Sequence, residues 1–229
     1  MDPGDHGVLA TEGACYACVP VTLVDGSCPI VDVAMDWHET ADKPNVYLYP
    51  PRPTVVNVSI AHPERLTADD PTYGDDGWSV TAFPDGRLRT SEGSRDFLFY
   101  ERSIEVDRFQ HEEGFCVPGR QAVAAMEDHL AALGFLPNEI ANFQEAWDAD
   151  LPRAGWMTVY PQTEHLPALR IEPRPDVVLR AWYLVEAGCQ PVREPVVTPV
   201  ERTGFHAAEW GVILDRSLGR EPMVIGWPG

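Results

Sequence analysis

Proline and glycine interrupt this chain so often that long helices are excluded from most of it. Among its 229 residues are 22 prolines and 18 glycines. Each proline fixes φ and removes a backbone donor, and glycine marks turns, so short strands joined by turns are expected. One stretch escapes that punctuation. After Pro118 and Gly119, RQAVAAMEDHLAALGF spaces Val123, Met126, Leu130 and Leu133 along one helical face, with Gly134 as a stop. Pro137 suits the first turn of a second helix, whose apolar stripe is Ile140, Phe143 and Trp147.

Strand patterns flank the helical pair. In TVVNVSI, Val56, Val58 and Ile60 alternate with Asn57 and Ser59, the period of a half-buried strand. WSVTAF and RLRT are joined by Pro84, Asp85 and Gly86, the chemistry of a hairpin turn. FLFYE, WMTVY, ALRIEP, VVLRAWYLVEA and GFHAAEW continue the series, and QPVREPVVTPVE reads as an extended edge or connector. The order predicts an α+β fold. We expect a mostly antiparallel β-sandwich-like domain over residues 43–229, with a pair of α-helices inserted at about 119–150. Residues 1–42 form a Cys-containing N-terminal extension.

Charge narrows the partners. A net charge of −19 repels phosphate backbones, so nucleic acid is excluded as a general partner, and anionic membranes are disfavoured. No apolar run approaches the roughly 18 residues that span a bilayer, and MDPGDHGVLA is too polar and acidic for a signal peptide.

KPNVYLYP, residues 43–50, is the least ordinary segment. Strand alternation puts Tyr47 and Tyr49 on one face and Val46 and Leu48 on the other. Such a strand is buried on both sides or lines a site. This block, with GWSVTAFPDGRL, FLFYE, LAALGFLPNEIANFQEAW, IEPRPDVVLRAWYLVE and ERTGFHAAEWG, resembles in the same order an uncharacterised bacterial domain family carrying KPVIYLYP-like, LFWEG-like and EWGG-like blocks. The resemblance covers about residues 43–211. It attaches no activity and implies an extracytoplasmic or secreted setting. Tyr100 stands where those blocks carry tryptophan, and Arg102 and Val212 where they carry glycine.

Several residues offer chemistry. Glu101 and Glu209 each sit beside an aromatic at the end of an apolar strand, and paired carboxylates in unlike environments are the machinery of glycosidases. Lys43 opens the KPNVYLYP block of a lysine-poor chain. It can assist the acids, form an ion pair with one of them, or crosslink to an acid or to Asn45 or Asn57. Tyr47, Tyr49 and Trp78 are the candidate ligand contacts, Trp78 because it follows the acidic YGDDG loop. That loop, with Asp69, Asp70, Asp75 and Asp76, also holds oxygens suited to calcium, although a solvated acidic loop is its default reading. Cys15, Cys18, Cys28 and His38 have the residue types of a zinc site. Disulfides, including Cys28 with Cys189, are the preferred alternative, and no cofactor is required. Cys116, between Phe115 and Val117, reads as a buried inert thiol rather than a nucleophile served by His111.

The resulting expectation is an extracytoplasmic binding or interaction module for a small molecule, glycan, peptide or protein. The alternative is a glycosidase-like hydrolase using Glu101 and Glu209.

Overall fold

The structure, a computed structural model, describes residues 4–12, 15–23, 39–105, 107 and 109–215, the first two stretches through their backbone. Its elements in chain order are β1 (Gly4–Glu12), β2 (Cys15–Leu23), β3 (Glu39–Tyr49), β4 (Thr54–Ile60), β5 (Leu66–Asp70), β6 (Trp78–Ala82), β7 (Leu88–Thr90), β8 (Gly93–Arg95), β9 (Leu98–Ile104) and β10 (Phe115–Pro118). Then come α1 (Ala122–Leu133), α2 (Pro137–Trp147), β11 (Trp156–Gln162), β12 (Leu169–Glu172), β13 (Val177–Ala187) and β14 (His206–Leu214).

A seven-stranded sheet has the order β10-β11-β13-β14-β3-β9-β5, and a five-stranded sheet the order β12-β4-β6-β7-β8. β1 and β2 form a hairpin of their own. Pairing is antiparallel except between β13 and β14. A parallel pair needs a crossover, and the proline-rich segment after β13 supplies it. That connector is fastened as it returns: Arg193 N–H donates to Glu112 O at 2.9 Å, and Val200 N–H to Leu133 O at 2.9 Å.

The sheets and helices stack as three layers around two cores. Between the sheets, Val46, Leu48, Leu98 and Trp182 of the large sheet meet Val56, Val58, Trp78 and Val80 of the small one. On the other face of the large sheet, Tyr47, Tyr183, Ala208 and Trp210 meet Met126, Leu130, Phe143 and Trp147 of the helices. β3 is therefore buried on both faces, with Val46, Tyr47 and Leu48 all at 0% exposure.

Local chemistry fixes the joints. Gly134 ends α1 at φ 106°, where a Cβ would stand 2.7 Å from Val200 O, so only glycine fits there without strain. Gly86 turns the β6–β7 hairpin at φ 88°, and a Cβ there would meet the Tyr49 ring at 2.6 Å. At the start of α2, the buried Glu139 carboxylate accepts from Leu136 N–H at 2.7 Å and from Arg202 at 2.6 and 2.8 Å. It thus caps the helix and ties it to the crossover.

The cysteines differ from expectation. Cys116 is joined to Cys189, so it is not a free thiol, and Cys189 is not paired with Cys28. The sequence placed Cys116 in an apolar strand but could not show that this strand ends beside the exit of β13. Cys28 and His38 lie outside the described residues, as do the side chains of Cys15 and Cys18.

Two measurements check these joints. The disulfide closes a separation of 73 residues, so Cys116→Ser with Cys189→Ser is expected to lower unfolding free energy in urea by about 2–4 kcal/mol. His129 of α1 is buried against the sheet with its Nδ1 2.9 Å from Tyr183 Oη, and burial lowers its pKa. The unfolded chain therefore takes up that proton at a higher pH than the folded one. Stability falls as pH drops below about 6.5, and His129→Gln flattens that part of the urea-midpoint profile.

Candidate functional site

The two proposed acids do not meet. Tyr100 and Glu101 are neighbours on β9, so their side chains leave opposite faces of the large sheet. Tyr100 points between the sheets, where its hydroxyl donates to Glu209 Oε1 at 2.7 Å. Glu101 projects from the other face and is half-buried. Glu209 is fully buried and accepts from Arg180 Nε at 2.6 Å and Trp182 Nε1 at 3.0 Å. Three donors on one carboxylate, one of them a guanidinium, hold it as a structural anion. Burial, reinforced by Glu209, pushes the Tyr100 phenol well above its ordinary pKa. The paired-carboxylate site is thus corrected: strand alternation separates Glu101 and Glu209, and the core between the sheets encloses Glu209.

Lys43, the chain's only lysine, binds neither acid. It sits at φ 54° where the pairing of β3 with β9 is interrupted between Ala41 and Asn45. Its Nζ donates to Ala146 O at 2.9 Å, pairs with the Asp150 carboxylate, and lies 5.0 Å from the centre of the Trp147 ring. A cation at a helix C-terminus is favoured by the free carbonyls and the macrodipole. The crosslink reading fails for the same reason, because the amine is directed to the end of α2.

Tyr47 and Tyr49 continue the docking. Asn142 Nδ2 donates to the Tyr47 hydroxyl at 3.2 Å and Asn138 Nδ2 to the Tyr49 hydroxyl at 3.1 Å. Burial raises both phenol pKa values. Lys43, Tyr47 and Tyr49 therefore engage α2 in reverse order along its length, and the two tyrosines hold a helix rather than face a ligand.

Trp78 is also corrected as a platform. It is 2% exposed, donates from Nε1 to Pro71 O at 2.6 Å, and packs edge-on to Tyr73. In the acidic loop beside it, Asp70 binds Arg95 and Asp69 accepts from Tyr73 N–H. Among the described residues no group of three or more His, Cys, Asp or Glu side chains is arranged to hold a metal.

Two depressions contain unclaimed chemistry. A cleft of about 620 Å³ is bordered by His111, His165, Arg193 and the glutamine pair Gln110 and Gln162. His111 Nε2 lies 3.2 Å from Glu186, and Tyr160 donates to the same carboxylate at 3.3 Å. Burial and Glu186 push the Tyr160 pKa up to about 12. The Gln162 amide pairs with both backbone groups of Gln110, so the glutamines brace the loop rather than offer contacts.

The second depression, of about 230 Å³, lies under KPNVYLYP. Phe97, Phe99 and Ala146 form its apolar walls, Lys43, Asn45 and Asn142 its polar lining, and Glu145 lies on its exposed rim. Asn45 is 4% exposed and its Oδ1 is buried with no hydrogen-bond partner. A buried acceptor left unmatched costs about 1–3 kcal/mol, and the Trp147 indole N–H of α2 is likewise buried without a partner.

In comparisons with known proteins, no family model matches the chain, and neither does any curated protein or solved structure.

Glu209→Gln is expected to cost about 3–5 kcal/mol in urea unfolding, because it leaves Arg180 buried without its anion. Glu101→Gln is expected to change stability by less than about 1 kcal/mol. Equal effects would contradict the division between the two faces.

Proposed function

We propose that this chain is an extracytoplasmic binding module whose ligand enters the pocket between β3, β9 and α2. The observation carrying this reading is the preformed depression itself, walled by Phe97, Phe99 and Ala146 and lined by the polar side chains of Asn45 and Asn142. Preformed concave sites with apolar walls and few polar groups are how small ligands and side chains are recognised. The disulfide, with Cys189 exposed, favours an oxidising compartment. The hydrolase alternative loses support because its two acids leave opposite faces of the sheet.

The pocket is small. At about 230 Å³ it accepts one side chain, one sugar unit or a small molecule. A library of amino acids, short peptides, monosaccharides and small metabolites, screened by ligand-observed NMR, is expected to yield binders whose signals are lost with Asn45→Val. Binders indifferent to that substitution, or glycan hydrolysis that survives Asn45→Val, would contradict the proposal.

A further inference from the structure

The free edge of the small sheet carries a pattern that matches itself. β12 ends that sheet and, among the described residues, pairs only with β4. Ala61 N–H donates to Ala168 O at 2.9 Å, and alternation along an antiparallel ladder then turns the backbone groups of Arg170 and Glu172 toward β4 as well. Those of Leu169 and Ile171 point away from the sheet. The other edges are blunted as sheet edges usually are. β8 has three residues, β5 closes on two aspartates, and β10 follows Gly114, whose N–H donates to Arg193 O of the crossover at 2.8 Å.

From this edge we infer that two copies of the chain associate through β12, antiparallel about a two-fold axis at Ile171. In that register each Ile171 N–H donates to the Ile171 carbonyl of the other copy. Arg170 of each copy then stands opposite Glu172 of the other. Within one chain Arg170 Nε already donates to Glu172 Oε1 at 2.9 Å, and both side chains are exposed. The axis therefore brings together four charges of alternating sign, each with an opposite neighbour along its own strand and across the new one. A slip of two residues in either direction would oppose Arg170 to Arg170 or Glu172 to Glu172, so charge selects the register.

The same pairing covers exposed apolar surface. Five strands do not cover seven, and Val178 of β13, on the sheet face of Arg180 and Trp182, is left 46% exposed. It borders a depression of about 520 Å³ with Leu169, Ile171, Pro173 and Pro175, and no β4 residue lines it, so the hollow lies along the open edge. A strand added there extends the small sheet over Val178 and removes apolar area from water. The new ladder is short, because Pro173 has no N–H to continue it, and the interface is accordingly small and its association weak. Each copy also carries a charge of −19, a long-range repulsion that salt screens.

Sedimentation velocity of the full chain, from about 10 µM to about 1 mM, is expected to show a monomer–dimer equilibrium at the weak end of protein interfaces. The dimer fraction is expected to grow as salt rises from about 0.02 M to about 0.15 M, because the repulsion then has shorter reach. Over the same concentrations the Ile171 amide, followed by hydrogen exchange in NMR, is expected to pass from open to protected. Arg170→Glu and Glu172→Arg change the net charge in opposite directions, yet each is expected to weaken dimerisation about tenfold by setting like charges across the axis. The two together are expected to restore it to within about threefold.

A chain that stays monomeric at the highest concentration in both salts overturns the inference. So does a dimer in which Ile171 exchanges freely, or one that follows net charge and ignores the double reversal, since either joins another surface. A peptide of residues 167–173, PALRIEP, that protects Ile171 in a chain that does not dimerise overturns it too, and assigns the edge to a strand of another protein.

Discussion

Burial of β3 on both faces is the constraint from which the rest of the structure follows. Its Val46 and Leu48 belong to the core between the sheets, while Tyr47 and Tyr49 belong to the core under the helices. A strand so placed cannot slip by one residue without exchanging aliphatic for phenolic groups in both cores. The hydroxyls that enter the helical core need partners, and Asn142 and Asn138 on α2 provide them. At the other end of the segment Lys43 finds the C-terminal carbonyls of the same helix. Register and helix position are thus set by one segment.

Buried carboxylates do structural work elsewhere. Glu139 joins the start of α2 to Arg202 of the crossover, and Glu209 joins Arg180 and Trp182 of β13 to Tyr100 of β9. Each of these two acids is buried with one arginine, so the pairs take equal and opposite charge out of the surface. Removing one member of such a pair strands the other in low dielectric. These acids are consequently suited to holding strands together, whereas proton transfer needs an acid that a substrate can reach.

Local periodicity made much of the fold legible. The alternation in TVVNVSI, the PDG turn and the helical spacing of Met126, Leu130 and Leu133 all correspond to observed elements, because each reports which face of a single element is buried. The parallel pairing of β13 with β14 was hidden, since a proline-rich connector does not announce which strand it returns beside. The same limit explains the site. Lys43 marked the right neighbourhood, but its partner Asp150 is remote in sequence, and Trp78 looked exposed because its acidic loop is exposed while its ring is not. Phe97 and Phe99 were readable as one face of FLFYE, and Asn45 as a polar residue in a two-sided strand. Only tertiary packing shows that α2 closes over all three.

The central claim is that KPNVYLYP positions α2 through Lys43, Tyr47 and Tyr49. A double-mutant cycle of Tyr47→Phe with Asn142→Ala, read by urea unfolding, tests it most directly. A coupling energy of about 0.5–1.5 kcal/mol is expected for the buried hydroxyl–amide bond. Strictly additive effects of the two substitutions would contradict it.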